Sequence, residues 1–570
     1  MSTASTIKHS SPTELAPVLD RKIHGVGSRC DDGARALGAG MRRWNGWGDE
    51  AISFPLPATA TAFLAEKLGP PKRPQDAPLG TALDYVAASR LPAHPLVITT
   101  AEERLRHACG QSLGDWIALR FGRVRAVPDG VAYPTSDTEV RELLRLANQV
   151  GAEVIPYGGG TSVVGHITPR GGAAPVLTLD LGRMATLVHL DERGRLATFG
   201  AGIAGPAIEA SLRPVGLTLG HFPQSFDYST LGGWVATRSS GQQSLRYGRM
   251  EQMFVGGHIE SPVGPLDLPS YPASAAGPDV REWFLGSEGR LGILTHATVR
   301  VSALPEREAW QAIFFRTWSD GLAATQRLGQ AGLPLAMLRL ATPAETETTL
   351  AFAGHPRLVA ALRGYLGLRG ARAEGCLLLV GLVGRADVVG SARRSVLAIA
   401  RDARGIHVGQ TLGRKWYANR FRSAYLRNSL WDAGYAVDTL ETACTWSRLP
   451  DMVDGITTSL RGELSREAVP VHVFSHLSHV YPHGSSVYTT YFFPLHADAD
   501  ENLRRWQMLK GAASRVIALH GGTISHQHGV GTDHLPYLEA EKGPLAMKAL
   551  RTLCRDFDPR GLMNPGKLFE

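Results

Sequence analysis

Three glycine-rich loops are the most chemically legible feature of this 570-residue sequence. The first, Pro156-Tyr157-Gly158-Gly159-Gly160-Thr161-Ser162, follows a β-like run, and its successive glycines let backbone N–H groups approach an anion unobstructed. It is a pyrophosphate cradle in chemical terms, yet it lacks the helix-opening G-x-G-x-x-G of a dinucleotide fold and the Gly-Lys-Ser/Thr of a nucleotide P-loop. Taken alone, it could equally be an ordinary glycine turn. A second segment, Ser229 to Gly241, offers hydroxyls and open amides through Ser229, Thr230, Gly233, Thr237 and Ser240, with Gln224 and Ser225 just before it. Gly286 to Ile293 supplies a third loop, with Glu288, Gly289, Leu291, Gly292 and Ile293. Three such loops within one stretch of chain imply a long ligand.

The elements that must position these loops can be read from periodicity. Ser136-Asp137-Thr138-Glu139 forms a capping box, and Val140, Leu143, Leu144, Ala147 and Val150 follow at helical spacing. Glu153 to Pro156 reads as a strand ending at the first loop, with further strands at Val176–Leu181, Ala197–Gly200 and Gly292–Leu294. Residues 1–122 mix proline-rich connectors with helical stretches and read as an N-terminal wrap. Residues 123–305 carry the loops. Residues 306–545 hold longer strands (Trp310–Phe315, Leu335–Leu340, Cys376–Leu382, Ser485–Phe493) separated by helices, as a second α+β lobe over the first. Residues 546–570 close the chain, with a turn at Asn564-Pro565-Gly566-Lys567 followed by a short closing element.

Composition narrows the class. The 44% hydrophobic and 20% charged content fits a globular protein of two or three packed units. Cys30, Cys109, Cys376, Cys444 and Cys554 are scattered and form no C-x-x-C, which argues against a disulfide framework or zinc ribbon and for a reducing, cytoplasmic setting. Neither a signal segment, a membrane span nor a C-terminal peroxisomal tripeptide is read. The +8 charge is dispersed, so nucleic acid is not expected as a partner, whereas phosphorylated or membrane-derived ligands suit it.

The three loops together resemble the FAD-binding half of the vanillyl-alcohol-oxidase and p-cresol-methylhydroxylase family. The fold class expected is therefore α+β, the two-lobed FAD-binding fold of that type with an α+β cap and an N-terminal extension. Arg43-Trp44-Asn45-Gly46-Trp47-Gly48, Gly220-His221, Ala424-Tyr425-Leu426-Arg427, Tyr488 and Ser525-His526-Gln527-His528-Gly529-Val530-Gly531 extend the likeness. Over nearly its whole length the sequence resembles the alkyldihydroxyacetonephosphate synthases. That resemblance implies noncovalent FAD serving as a scaffold at N5 without net redox, a homodimer, and exchange of the acyl chain of acyl-dihydroxyacetone phosphate for a fatty alcohol. Two alkyl substrates further imply a lipid-lined channel and peripheral contact with anionic membranes.

Under the same resemblance Tyr488 takes the position of the family's proton-shuttling tyrosine. Arg427, Arg339, His526 and His528 are candidates for gripping a dianionic phosphate, and His221, Thr230 and Thr439 fall at or beside active-site positions. Two departures stand out: three consecutive family histidines read here as His526-Gln527-His528, and an acidic residue after the Gly-His pair is Gln224. Both changes keep hydrogen bonding and remove a titratable group.

A flavin dehydrogenase or oxidase of 2-hydroxy acids is the alternative, because it shares the fold and the closing turn. Such enzymes pair a His-x6-His with a Glu-His step around a divalent metal. Here those positions read Tyr488 and Gln527-His528, and Gln brings no charge to compensate a cation. His476, His479 and His483 form the other conceivable metal set, but strand alternation would put His476 and His479 on opposite faces. No metal is expected.

Overall fold

Parallel pairing and glycine placement bring the first two loops together. The structure, a computed structural model, describes residues 41–371 and 375–570. Cys30, the N-terminal segment read for a signal and the start of the expected wrap lie outside the described residues. Glu153–Tyr157 and Gly130–Ala132 both pair in parallel with Val176–Asp180, and Val97–Ile98 completes this four-stranded sheet. The helix Asp137–Val150 lays Val140, Leu143, Leu144 and Ala147 against it. Ser136 caps that helix by accepting from the Glu139 amide, but the Glu139 carboxylate turns to the two donors of Thr135 instead of the Ser136 amide. Only half of the expected capping box forms. A five-stranded antiparallel sheet, in the order Leu187–Asp191, Leu196–Gly200, Ile293–Arg300, Phe254–Ser261, Gly264–Leu268, completes the first lobe.

Glycine is required where the loops meet. A Cβ on Gly159 would fall 1.8 Å from the Tyr228 carbonyl oxygen, so only glycine lets the first loop touch the second. Gly160, at φ +64°, turns the chain through the left-handed region.

The second lobe is an eight-stranded sheet whose central run places Cys376–Gly384, Leu335–Ala341, His472–Leu477, Gly484–Pro494 and Tyr435–Thr445 side by side. Alternation gives it two different faces. Leu338, Leu340, Leu378, Val380, Tyr491 and Phe493 are buried in the core that the helices Leu449–Glu463 and Ala499–Leu519 also enter. Each such side chain contributes on the order of 2 kcal/mol by leaving water. Leu377, Leu379, Arg339, His476, Tyr488 and Thr439 face a cavity instead.

Both ends of the described chain brace this frame. Trp47, Leu113, Trp116 and Ile117 of the N-terminal extension enter the second lobe's core. Met563 bridges Val154, Asn564 Nδ2 donates to the carbonyls of His166 (3.1 Å) and Glu288 (2.7 Å), and Lys567 Nζ donates to Thr168 O (3.2 Å). The closing contact therefore begins just before the expected turn, and it ties the turn that follows the first loop to the third loop.

Candidate active site

A cavity of about 1020 Å³ lies between the glycine loops and the open face of the eight-stranded sheet. It runs from Gly158–Ser162 past Thr237 and Ser240 to Tyr488 and His528, then into an apolar arm lined by Leu350, Phe352, Leu358, Leu362, Leu412 and Trp416. Its flavin-side wall suits a long anionic ligand such as FAD. Among the described residues only two carboxylates line the cavity, Glu288 and Glu345, and both are committed elsewhere. Glu288 accepts from the amides of Val530 (2.5 Å) and Gly531 (3.0 Å) and pairs with His166 (3.1 Å). Burial alone would raise its pKa, but His166 and those amides outweigh burial and hold it below the usual range. The carboxylate is thus turned away from any phosphate, while glycines and the hydroxyls of Thr230, Thr237 and Ser240 remain to hold the cofactor.

Tyr488 sits at the centre of the opposite wall. Its cross-strand partners are Glu441 on one side and His476 on the other. Its ring stacks on His476 at 4.9 Å and meets the His528 ring edge-on at 5.9 Å. Burial pushes the phenol up to about 12, with Thr439 lowering it through a hydrogen bond and Glu441 raising it. Burial pushes His528 down to about 4. A neutral phenol and a neutral imidazole therefore stand side by side, one able to give a proton and the other to take one.

Two Arg–His–Glu triads flank that pair. Arg339 donates to His476 Nε2 (2.8 Å) and to Glu345, and His476 Nδ1 faces Glu345 Oε2 at 2.9 Å. Arg249 and Tyr481 reach His526 Nε2 (2.6 and 2.7 Å), and His526 Nδ1 faces Glu441 Oε1 at 3.2 Å. Arginine can only donate, so each Nε2 is the acceptor and each neutral ring carries its proton on Nδ1; that of His476 meets Glu345, whereas that of His526 lies near Glu441 without hydrogen-bond geometry. Burial would raise Glu441, yet His526 and His479 hold it far below the carboxylate range.

This tautomer decides a second question. Ligand atoms of Glu441, His479 and His526 lie within 4.8 Å of one another, the spacing of a cation site. A metal would need the His526 Nδ1 lone pair, which the Arg249 contact leaves protonated. The contacts within the trio are ion-pair distances, 3.2 Å from Glu441 Oε1 to His526 Nδ1 and 3.9 Å to His479 Nε2. The strand His472–Leu477 ends before His479, so alternation does not govern that residue. His479 turns its Nδ1 to Ser240 and Ser244 (3.1 and 3.0 Å), while His476 belongs to the Arg339 triad.

Arg427, from the short helix Leu426–Asp432, reaches the cavity beside Gln527 and Thr439. It donates to the Gln111 carbonyl and stands 5.5 Å over the Trp116 ring, both in the N-terminal extension. Gln224 lines the cavity and donates to Ser423 Oγ at 2.9 Å.

The structure sets three of the expected residues back from the cavity. His221 lies behind the second loop against the Trp234 ring (4.6 Å), with Nε2 3.1 Å from Ser239, and burial drops it to about 3. His526 is held on Glu441, one layer behind His528. Leu291 is fully buried in the first lobe's core, because the loop turns its side chain inward there. The remaining sequence-derived positions, from Pro156, Tyr157, Thr161 and Ser162 through Ser225, Ser229, Gly233, Gly289, Gly292 and Ile293, line the cavity. Arg249, Glu345, Glu441 and Tyr481 were not anticipated, although an acid such as Glu441 inside an eleven-residue buried strand is a signal in itself.

Comparison with known proteins agrees with this geometry. Residues 128–264 match the family described as FAD binding domain, and residues 304–568 match FAD linked oxidases, C-terminal domain. The chain is 32% identical to an alkyldihydroxyacetonephosphate synthase of Dictyostelium discoideum, over 82% of this chain and 77% of that protein. A solved alkyldihydroxyacetonephosphate synthase superposes with a TM-score of 0.78 at 26% identity, covering 92% of this chain and 99% of the other. A p-cresol methylhydroxylase structure superposes with a TM-score of 0.65 at 15% identity, over 87% and 98% of the two chains, a likeness of fold.

Proposed function

The chain belongs to the alkyldihydroxyacetonephosphate synthase family, and from that premise we propose that it exchanges the acyl chain of acyl-dihydroxyacetone phosphate for a long-chain alcohol. The observation that carries this reading is one cavity in which a glycine-loop wall, a part-buried Tyr488–His528 pair, an arginine and an apolar arm are continuous. When bound, FAD supplies the electron-poor ring beside which the three-carbon unit reacts, with no net redox change. Neutral His528 is suited to take a proton from the carbon next to the ketone, and the Tyr488 phenol to hold or return one. Arg427, assisted by Gln527, meets the phosphate. The acyl chain leaves as a carboxylate with its own oxygen, the alcohol oxygen forms the new C–O bond, and the alcohol proton is released.

Three features support this reading over oxidation of a 2-hydroxy acid. Gln527 is uncharged, and Tyr488 stands where that chemistry uses a metal-binding histidine. The apolar arm also exceeds what a small hydroxy acid needs. Incubation of purified protein with palmitoyl-dihydroxyacetone phosphate and hexadecanol, followed by mass spectrometry, tests the proposal: ether product supports it, and its absence from a fully FAD-loaded enzyme rejects it.

We also propose peripheral binding to anionic membranes from the cytosol. The helix Pro356–Leu368 lines the apolar arm yet exposes Leu358 (69%) and Leu368 (89%), with Arg357, Arg363 and Arg369 alongside and no acidic side chain within it. No described helix is long and apolar enough to cross a membrane. A homodimer is proposed from family resemblance and is tested by sedimentation.

A further inference from the structure

Behind Arg427, on the helix-covered side of the sheet, lies a buried ion cluster that the proposed chemistry does not use directly. Asp438 is 1% exposed and Lys510, in the middle of the helix Ala499–Leu519, is 5% exposed. Lysine is rarely buried so far unless paired, and burying both charges costs more than a well-packed apolar pair would. A purely structural pair is therefore poor value here, and the geometry shows what else it does.

The two oxygens of Asp438 are used unequally. Oδ2 accepts from Trp506 Nε1 (2.8 Å), Tyr491 OH (3.1 Å) and Lys510 Nζ (3.2 Å). Oδ1 is left to Arg427 Nη2 at a longer 3.4 Å. Three donors on one oxygen fix the carboxylate plane and reduce its pull on the guanidinium, so Arg427 is held while its remaining N–H groups stay available to the cavity. Lys510 Nζ also donates to the Thr439 carbonyl at 2.9 Å, fixing a residue that lines the cavity with Tyr488. Burial would raise the Asp438 carboxyl, but Lys510 and Arg427 keep it below the usual range, so it stays charged.

We infer that Asp438 and Lys510 are positioning residues: Asp438 aims Arg427 into the cavity, and Lys510 balances Asp438 so that it does not draw Arg427 back. The inference rests on the reading that Arg427 meets the substrate phosphate. Without Lys510, Asp438 would face Arg427 as its only full cation, and the guanidinium would collapse onto it, away from the phosphate.

The test is steady-state kinetics of FAD-loaded Lys510→Ala, with the phosphorylated ketone and the alcohol varied separately. The KM for the phosphorylated ketone should rise about tenfold or more, the scale of one charge-assisted hydrogen bond, while the KM for hexadecanol and the flavin spectrum stay unchanged. Lys510 also lines a second cavity of about 640 Å³, beside Trp506, Thr532 and Asp533. Millimolar propylammonium should therefore enter and partly restore the KM, whereas propanol should not, and Lys510→Arg should stay within about threefold of wild type. A lesion of packing alone would raise both KM values together and ignore the ammonium ion, and that pattern overturns the inference, as does an unchanged KM. If Lys510→Ala does not accumulate as holoprotein, Asp438→Asn/Lys510→Met removes both charges at once; it should show the same selective rise, and a wild-type KM in that variant overturns the inference. Wild type assayed in parallel separates the two levels, since a wild type that makes no ether rejects the proposed function itself.

Discussion

Removing a single oxygen from Tyr488 probes the site with little effect on the fold. Tyr488→Phe keeps a ring of the same size in a part-buried position, still able to stack 4.9 Å from His476 and to meet His528 edge-on. The loss of one part-buried hydroxyl costs about 1 kcal/mol or less, so FAD content and thermal midpoint should stay near wild type. The chemical step loses the phenol proton beside His528. General acid–base assistance of this kind is worth about 10²- to 10⁴-fold, or roughly 3–5 kcal/mol of barrier. The assay is ether product per flavin by mass spectrometry, under saturating phosphorylated ketone and hexadecanol. A variant that keeps more than a tenth of wild-type turnover, with normal flavin content, would refute the role given to Tyr488.

Acid should destabilise the protein in a defined window. Burial pushes His528 and His472 down to about 4, and His221 and His534 down to about 3, so all four are neutral when folded. Below the ordinary histidine value of about 6.5 the unfolded chain binds more protons, so stability falls as pH drops toward 4, on the order of 2 kcal/mol per group by pH 5. Urea midpoints at pH 7 and pH 5 check this, and equal midpoints would contradict it. Replacing Leu368 with glutamate should weaken flotation with phosphatidylserine vesicles by about tenfold, while turnover of detergent-solubilised substrate changes little; undiminished flotation would remove that helix from the membrane face.

The glycine loops were legible because a close backbone approach admits no other residue: Gly159 has no room for a Cβ, and that constraint is local. The helix after Ser136 and the strand before Gly158 were legible for the same reason, since capping and alternation act within a few residues. The two Arg–His–Glu triads were not. Their members come from strands, a helix and loops at positions 249, 339, 345, 441, 476 and 526, and the register of the eight-stranded sheet, which sets Glu441 and His476 on either side of Tyr488, together with the packing of the other elements brings them there. His479 shows how a sound local rule fails, because the strand stops at Leu477 and alternation no longer applies. Leu291 and His221 show the converse: both stand beside glycine-loop residues in sequence, but their side chains turn into the core.

The central claim is that one buried site exchanges a carboxylate for an alcohol without net redox. Its most direct measurement is an anaerobic reaction of the FAD-loaded protein with palmitoyl-dihydroxyacetone phosphate and hexadecanol, with palmitate, ether product and flavin absorbance followed together. Palmitate and ether should appear in equal amounts while the oxidised flavin spectrum is present at the end of turnover. Flavin bleached by a 2-hydroxy acid such as D-lactate, with no ether formed, would contradict the account.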